Sequence, residues 1–150
     1  MLSYRLPRYV VSLVREGSSM AECKAIRSPE DVFAIMLTEY ENAVVETAQM
    51  LALDTKNKII GVFTISTGSL NASIIHPRDV FQRAILCNAA SVILVHNHPS
   101  GDPTPSPEDM ELTRRLVEAG KLLDIAVLDH VIIGEGTYVS IRKKALYKIL

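Results

Sequence analysis

Apolar runs and amphipathic segments alternate along the chain, mostly separated by short polar turns. Three segments carry helix signals, namely a capping residue or a proline at the start and apolar residues near helical spacing: residues 28–43, 76–90 and 107–120. Six segments are short, apolar and typical of strands: residues 8–16, 45–54, 58–66, 91–96, 125–134 and 137–141. A short helix is predicted to close the chain.

The connections between these segments favour one α/β domain. The polar turn TKN predicts a hairpin between the second and third strands. The nearly all-apolar run SVILVH at 91–96 is typical of a strand buried on both faces. Gly120 is predicted to stop the third helix. We therefore predict a mostly antiparallel or mixed β-sheet flanked by helices.

The composition narrows the class of protein. The chain has 150 residues, 48% hydrophobic and 22% charged, as expected for one globular domain with its own core. No apolar run approaches the ~18 residues of a membrane-spanning helix, and the N-terminus lacks the pattern of a signal peptide. Two cysteines without a CxxC motif, Cys23 and Cys87, favour free thiols in a reducing cytoplasm.

The charge gives no overall basic footprint for nucleic acid. The formal net charge is -1, whereas domains that bind nucleic acid are usually basic. Four cations near the C-terminus are explained more simply by a solvated helix face than by a DNA contact: Arg142, Lys143, Lys144 and Lys148.

The strongest chemical signal is the stretch HNHPSGDPTPSPED at residues 96–109. His96 and His98 lie two residues apart at the end of a predicted strand, so both imidazoles point to the same face. Asp109 can add a carboxylate. Three such ligands suit zinc and leave a fourth tetrahedral position for water, which distinguishes a catalytic site from a structural one.

The loop between these residues is stiff. Proline fixes the backbone φ angle at four of its positions, and Gly101 permits a turn that other residues could not make. A stiff loop loses less conformational entropy when it holds ligands in place. The four prolines are Pro99, Pro103, Pro105 and Pro107.

The same residues also have a plainer interpretation. Ser106, Pro107 and Asp109 together make a capping box, with serine at the N-cap and an acid at the third helical position. A single histidine at a strand end is usually structural. The conjunction of two histidines on one face, a stiff loop and an acid at a helix start favours a metal site.

The stretch matches His-x-His-(seven residues)-Ser-x-x-Asp, and so resembles JAMM-type (MPN/JAB) zinc metallopeptidases. Four longer segments resemble the JAB domain of the bacterial RadC family, and the resemblance runs from about residue 28 to about residue 147: LDTKNKIIG, GSLNASIIHPRDVFQRAI, AASVILVHNHPSGDPTPSPED and LDHVIIG. It implies an α/β fold of JAB/MPN (cytidine-deaminase-like) type over residues 28–150, with residues 1–27 as an N-terminal strand and lead-in.

Full-length RadC proteins usually carry an N-terminal helix-hairpin-helix module, for which this sequence has no room. We therefore expect the short, single-domain form, and this departure weakens any inference to DNA binding.

The resemblance also implies roles for individual residues. It places Glu46, at the start of the second predicted strand, as the general base. One zinc ion per chain would be held by His96, His98 and Asp109, and Ser106 would help to stabilise the oxyanion. The implied substrate is a peptide or an isopeptide-like bond whose identity the sequence does not give. The oligomeric state is equally open.

Four further residues have weaker signals. We expect His76, just before the second helix, to cap or pack. Asn97 points away from the two histidines and is expected to be structural. Asp129 and His130 point to opposite faces, so one of them could support a zinc histidine from behind.

Two alternatives stay open at this point. One is a metal-dependent nuclease or a DNA-repair accessory protein of the RadC family, although the near-neutral charge argues against tight duplex binding. The other is a binding module whose metal site is vestigial. The zincin and deaminase classes are excluded, because the sequence has neither HExxH nor HxE followed by PCxxC.

Overall fold

The computed structural model describes residues 3, 5–21, 23–68 and 75–143. Within these residues it has three helices and five strands. In chain order they are α1 (Pro29–Tyr40), β1 (Glu46–Leu53), β2 (Ile59–Gly68), α2 (Pro77–Leu86), β3 (Ser91–Asn97), α3 (Pro107–Leu123), β4 (Ala126–Ile133) and β5 (Tyr138–Ser140).

The strands form one mixed sheet in the order β2-β1-β3-β4-β5. β1 pairs antiparallel with both β2 and β3, and β4 pairs antiparallel with β5. β3 and β4 run parallel, so the chain must cross over between them, and α3 makes that connection. The predicted hairpin and the predicted mixed sheet flanked by helices are confirmed.

The two central strands β1 and β3 are covered on both faces. Neighbouring residues of a strand point to opposite faces, so Leu51 and Ile93 pack against α1, while Met50 and Leu94 pack toward α2 and α3. All seven residues of β3 are buried, as its apolar sequence predicts. The domain is therefore a sheet between two helical layers. Within the described residues, no helix combines the length and apolar character needed to cross a membrane.

This topology brings chemistry to one end of β3. The loop after β3 leads directly into α3, so the N-terminal end of the helix lies near the C-terminal end of the strand. β1 runs antiparallel to β3, and its residue Ala48 pairs with His96. The start of β1 therefore lies beside the end of β3.

The first predicted strand is wrong. Residues 8–16 form no strand, and their apolar side chains are exposed, with Val10 at 94% and Val14 at 88%. β-branched composition predicts a strand only where a neighbouring strand supplies hydrogen bonds. The lead-in contacts the sheet edge near β2 through an isolated bridge between Ala25 and Lys58. The predicted closing helix falls on residues 144–150, outside the described part of the chain.

Gly120 does not stop the third helix. α3 continues to Leu123 and ends at Asp124, whose φ of 55° is left-handed. Gly120 is instead a point of close approach, because a Cβ there would lie 2.4 Å from the carbonyl oxygen of Ile125. The glycine lets the returning chain pass close to the helix before β4.

Candidate metal centre

His96 and His98 converge at the end of β3, as their spacing predicts. His96 is the next-to-last residue of the strand and is 3% exposed, while His98 follows the strand directly. The Nε2 atoms of the two rings are 3.0 Å apart. The backbone N–H of His98 donates to the carbonyl oxygen of Ile133, which extends the alignment with β4 beyond the last strand residue.

Two carboxylates complete the cluster. Asp109 Oδ1 lies 3.2 Å from His96 Nε2, and its Oδ2 lies 3.2 Å from His98 Nε2. Glu46 Oε1 lies 3.6 Å from His96 Nε2. One potential ligand atom from each of these four side chains lies within 4.8 Å of all the others. The four residues come from β1, β3, the loop after β3, and the first turn of α3.

Asp109 reaches this position through the capping box. Its backbone N–H donates to Ser106 Oγ at 3.1 Å, and its Oδ2 accepts the N–H of Ser106 at 2.8 Å. Pro107 occupies the first helical position. The plain capping interpretation and the site interpretation are therefore both true of the same carboxylate, because the cap fixes the direction in which the side chain points.

The loop holds His98 from its other side. His98 Nδ1 lies 2.8 Å from the carbonyl oxygen of Asp102. Because a carbonyl only accepts, Nδ1 carries the hydrogen and Nε2 of the neutral ring has a free lone pair. Gly101 has a φ of 90° and donates its N–H to the carbonyl of His98. The glycine thus makes the turn that brings the carbonyl of Asp102 back to the ring of His98.

Asn97 is structural, as its opposite orientation predicts. Its Oδ1 accepts the backbone N–H of Thr47 at 2.7 Å, and its Nδ2 donates to the carbonyl of Val45 at 3.0 Å. These two bonds lie on either side of Glu46 in the chain. Asn97 therefore fixes the backbone that carries the carboxylate.

His76 is the N-cap residue of α2. Its backbone N–H donates to Asp79 Oδ2 at 3.0 Å. The expectation of a capping role is confirmed, and His76 is not part of the cluster of four.

His130 supports the cluster from behind, and Asp129 does not. His130 is completely buried, and its Nε2 lies 2.7 Å from His96 Nδ1. Asp129 instead accepts from Ser140 Oγ at 2.6 Å and from the N–H of Arg142 at 3.1 Å. Of the two residues that the sequence offered, the structure selects the histidine.

Thr113 is a residue that the sequence gave no signal for. Its Oγ1 lies 2.6 Å from His130 Nδ1 and 2.7 Å from the carbonyl oxygen of Asp109. A threonine inside a helix is an ordinary residue in the sequence, and only its position one turn after Asp109 places it here. It links the backbone of Asp109 to the buried ring of His130.

The ionisation of the cluster follows from these contacts. Burial alone would raise the pKa of the Asp109 carboxyl, but its contacts with the imidazoles of His96 and His98 outweigh burial and hold the pKa well below its usual range. The neighbouring Asp109 carboxylate raises the pKa of His98. Burial lowers the pKa of His130 well below its ordinary value. The carboxylate is therefore ionised, and the fully buried ring is neutral.

A small cavity opens beside the cluster. Its lining includes Glu46, His96 and Asp109 together with the apolar residues Ile75 and Leu112. The side chain of Glu46 is 26% exposed, compared with 4% for His96. Glu46 is thus the member of the cluster that solvent or a substrate reaches most easily.

The donor set fits a small divalent cation. Tetrahedral zinc ligands at ~2.0–2.1 Å from the ion are roughly 3.3 Å from one another. The Nε2 atoms of His96 and His98 are 3.0 Å apart, and each lies 3.2 Å from a different carboxylate oxygen of Asp109. Two imidazole nitrogens and a carboxylate at this spacing could hold such an ion, and Glu46 lies beside them, 3.6 Å from His96 Nε2.

The fold and the cluster define an α/β domain with a candidate metal centre where β3, α3 and β1 meet. The RadC-like JAB domain family matches residues 26–146, and the chain belongs to this family. The RadC resemblance of the sequence is thereby confirmed.

Named relatives support the same family. The chain is 55% identical over 130 residues to a UPF0758 protein of Caldanaerobacter subterraneus subsp. tengcongensis. The aligned region covers 87% of this chain and 56% of that protein. The chain is 52% identical over 145 residues to a UPF0758 protein of Methanosarcina mazei, where the aligned region covers 97% and 61%. The chain thus spans little more than half the length of these relatives. Their names state a family and no activity.

Proposed function

We propose that this domain is a zinc-dependent hydrolase of JAMM type that cleaves amide or isopeptide bonds. The observation that carries the proposal is the convergence of Glu46, His96, His98 and Asp109, with one ligand atom of each inside 4.8 Å. Membership of the RadC-like JAB domain family adds support. The proposal includes a peptide or isopeptide-like substrate and a cytoplasmic location.

Zinc is the proposed ion because of the chemistry of its ligands. His96, His98 and Asp109 would hold it through nitrogen and oxygen atoms, and such a three-ligand set is typical of catalytic zinc. A zinc ion held there would supply a Lewis acid that polarises a carbonyl and lowers the pKa of water. Metals that prefer all-oxygen sites, such as calcium and magnesium, suit two imidazoles poorly.

Glu46 is the proposed general base. Its carboxylate is partly exposed to the cavity and lies 3.6 Å from His96 Nε2. From this position it can accept a proton from the attacking water and deliver that proton to the leaving amine. Asn97 assists by fixing the backbone on both sides of Glu46.

Ser106 and the start of α3 are the proposed oxyanion stabilisers. Ser106 Oγ accepts the N–H of Asp109, and this bond does not use the hydroxyl hydrogen. That hydrogen can therefore donate to a developing negative charge. The N-terminal end of α3 adds positive potential in the same region.

The cavity gives the proposed substrate an apolar contact. Ala48, Ile75 and Leu112 line it beside the carboxylates. A peptide or isopeptide with an apolar group next to the scissile bond would bury that group here while its carbonyl faces the cluster. The nuclease alternative has no comparable support in the described residues and stays a prediction from the family's association with DNA repair.

The direct test is Glu46→Gln, with Glu118→Gln as the matched control on the exposed surface of α3. Zinc-loaded protein would be incubated with pooled linear and isopeptide-linked peptides, and cleavage followed by mass spectrometry. We expect Glu46→Gln to lower the rate by about 100- to 10,000-fold, because the general base is lost, while zinc content stays unchanged. Equal cleavage by wild type and Glu46→Gln would contradict the assignment.

A further inference from the structure

A line of hydrogen bonds runs from the helix backbone to the cluster. It joins the carbonyl oxygen of Asp109, Thr113 Oγ1, the ring of His130 and finally His96 Nδ1, with separations of 2.7, 2.6 and 2.7 Å. Thr113 and His130 are both completely buried. Water therefore has no access with which to exchange one partner for another.

The direction of this line follows from counting hydrogens. The Thr113 hydroxyl has one hydrogen, and its two partners are a carbonyl oxygen and His130 Nδ1. A carbonyl can only accept, so the hydroxyl donates to Asp109. The second contact is then a hydrogen bond only if His130 Nδ1–H donates to the threonine oxygen.

The same counting fixes the next bond. The nitrogens of His130 face a hydroxyl and another imidazole, with no carboxylate as a direct partner, so a charged ring would be costly to bury. The neutral ring has one hydrogen, already placed on Nδ1. His130 Nε2 must then accept, and His96 Nδ1–H must donate to it.

We propose that Thr113 and His130 are positioning residues that hold His96 in the tautomer with hydrogen on Nδ1, so that its Nε2 lone pair faces His98 and Asp109. The inferred tautomer of His96 stands apart from the proposed function, but its effect on zinc binding rests on that function. His98 reaches the same state by another route, through the carbonyl of Asp102. The two ligand histidines are thus set independently.

This arrangement explains why a threonine is needed at a position that never touches the cavity. Replacing its hydroxyl by a methyl group, in Thr113→Val, leaves His130 Nδ1–H without an acceptor. Because orphaned buried N–H groups are rarely tolerated, His130 would move its hydrogen to Nε2. His96 Nδ1 would then have to accept, and its own hydrogen would occupy Nε2, the atom that should bind the metal.

The test is long-range ¹H–¹⁵N correlation of the histidine side chains in metal-free protein at one pH. We expect hydrogen on His96 Nδ1 in wild type and in Thr113→Ser, which keeps the hydroxyl. In Thr113→Val we expect His96 to shift to the Nε2–H form, while His98, whose Nδ1 faces the Asp102 carbonyl, keeps its hydrogen on Nδ1 as an internal control. A wild-type His96 with hydrogen on Nε2 would overturn the proposal without recourse to any variant.

Zinc titration of the same three proteins separates the two proposals. We expect Thr113→Val to bind zinc about 10- to 100-fold more weakly, as is typical when a partner behind a metal ligand is lost, and Thr113→Ser to bind like wild type. If wild type binds zinc and Thr113→Val binds it equally, the tautomer inference fails while the metal site stands. If wild type binds no zinc, the proposed function fails and the tautomer result decides the inference alone.

Discussion

Asp109 illustrates at the level of one residue why chemistry and folding signals overlap. An acid at the third position of a helix is usually a capping residue, and Asp109 is one, since its Oδ2 accepts the N–H of Ser106. The same side chain reaches both histidines. The sequence predicted both roles, and one side chain can fill both because β3 ends beside the start of α3.

Contacts within the sheet and across layers were harder to predict. Side chains alternate along a strand, so the sequence predicted that either Asp129 or His130 would support one of the two clustered histidines. That His130 does so depends on the parallel pairing of β3 with β4, which places His130 next to Leu94 and close to His96. Thr113 joins through α3 and was not predictable, because no local pattern marks it.

Asp129 provides a pH-dependent prediction at this scale. Burial raises the pKa of its carboxyl above the ordinary value of 3.8. A raised pKa means that the associated stability is present below that ordinary value and is lost as pH rises through the folded-state pKa. Asp129→Asn does not titrate, so its free energy of unfolding should rise relative to wild type as the pH increases from 3.8 through the folded-state pKa of Asp129.

Urea denaturation of both proteins across this pH range is the measurement. Asp129→Ala serves as the comparison, because it leaves the N–H of Arg142 without its acceptor and should be less stable than Asp129→Asn by about 1–3 kcal/mol at every pH. A wild-type advantage over Asp129→Asn that grows as pH rises would show that the pKa is lowered instead.

At the level of helices and strands, local sequence signals predicted the structure correctly where neighbouring elements supplied the packing and hydrogen bonds that the segment needs. The helix starts at Ser28 and Ser106 and the buried strand β3 were all visible in the sequence. Residues 8–16 have strand-like composition but lie exposed without strand pairing. Strand formation requires a partner that composition alone does not supply.

Gly120 gives a prediction about how α3 meets β4. A methyl group there would lie 2.4 Å from the Ile125 carbonyl oxygen and 3.3 Å from Phe81. We expect Gly120→Ala to lower the free energy of unfolding by about 1–3 kcal/mol, because overpacking outweighs the gain in helix propensity. Thermal unfolding followed by circular dichroism would measure it.

Gly17→Ala is the matched control, because a Cβ at Gly17 meets nothing within 4 Å. It should leave stability within about 0.5 kcal/mol of wild type. If Gly120→Ala proved as stable as this control, α3 and the segment leading to β4 would not be in the close contact described.

At the level of the whole molecule, the site joins parts of the chain that are distant in sequence. Its four side chains span residues 46 to 109 and come from two strands, a loop and a helix. Composition and a net charge of -1 could exclude classes of function but could not locate the site. The division at residue 27 stays a prediction, and this chain spans little more than half of its relatives' length.

The most direct test of the account is the metal content of protein purified without chelators, measured by elemental analysis. We expect about one zinc ion per chain, and less after His98→Ala, which removes one of the proposed ligands. Protein that holds no metal even after incubation with zinc would contradict the account. It would leave residues 96–109 as a capped helix start on a JAB-type domain.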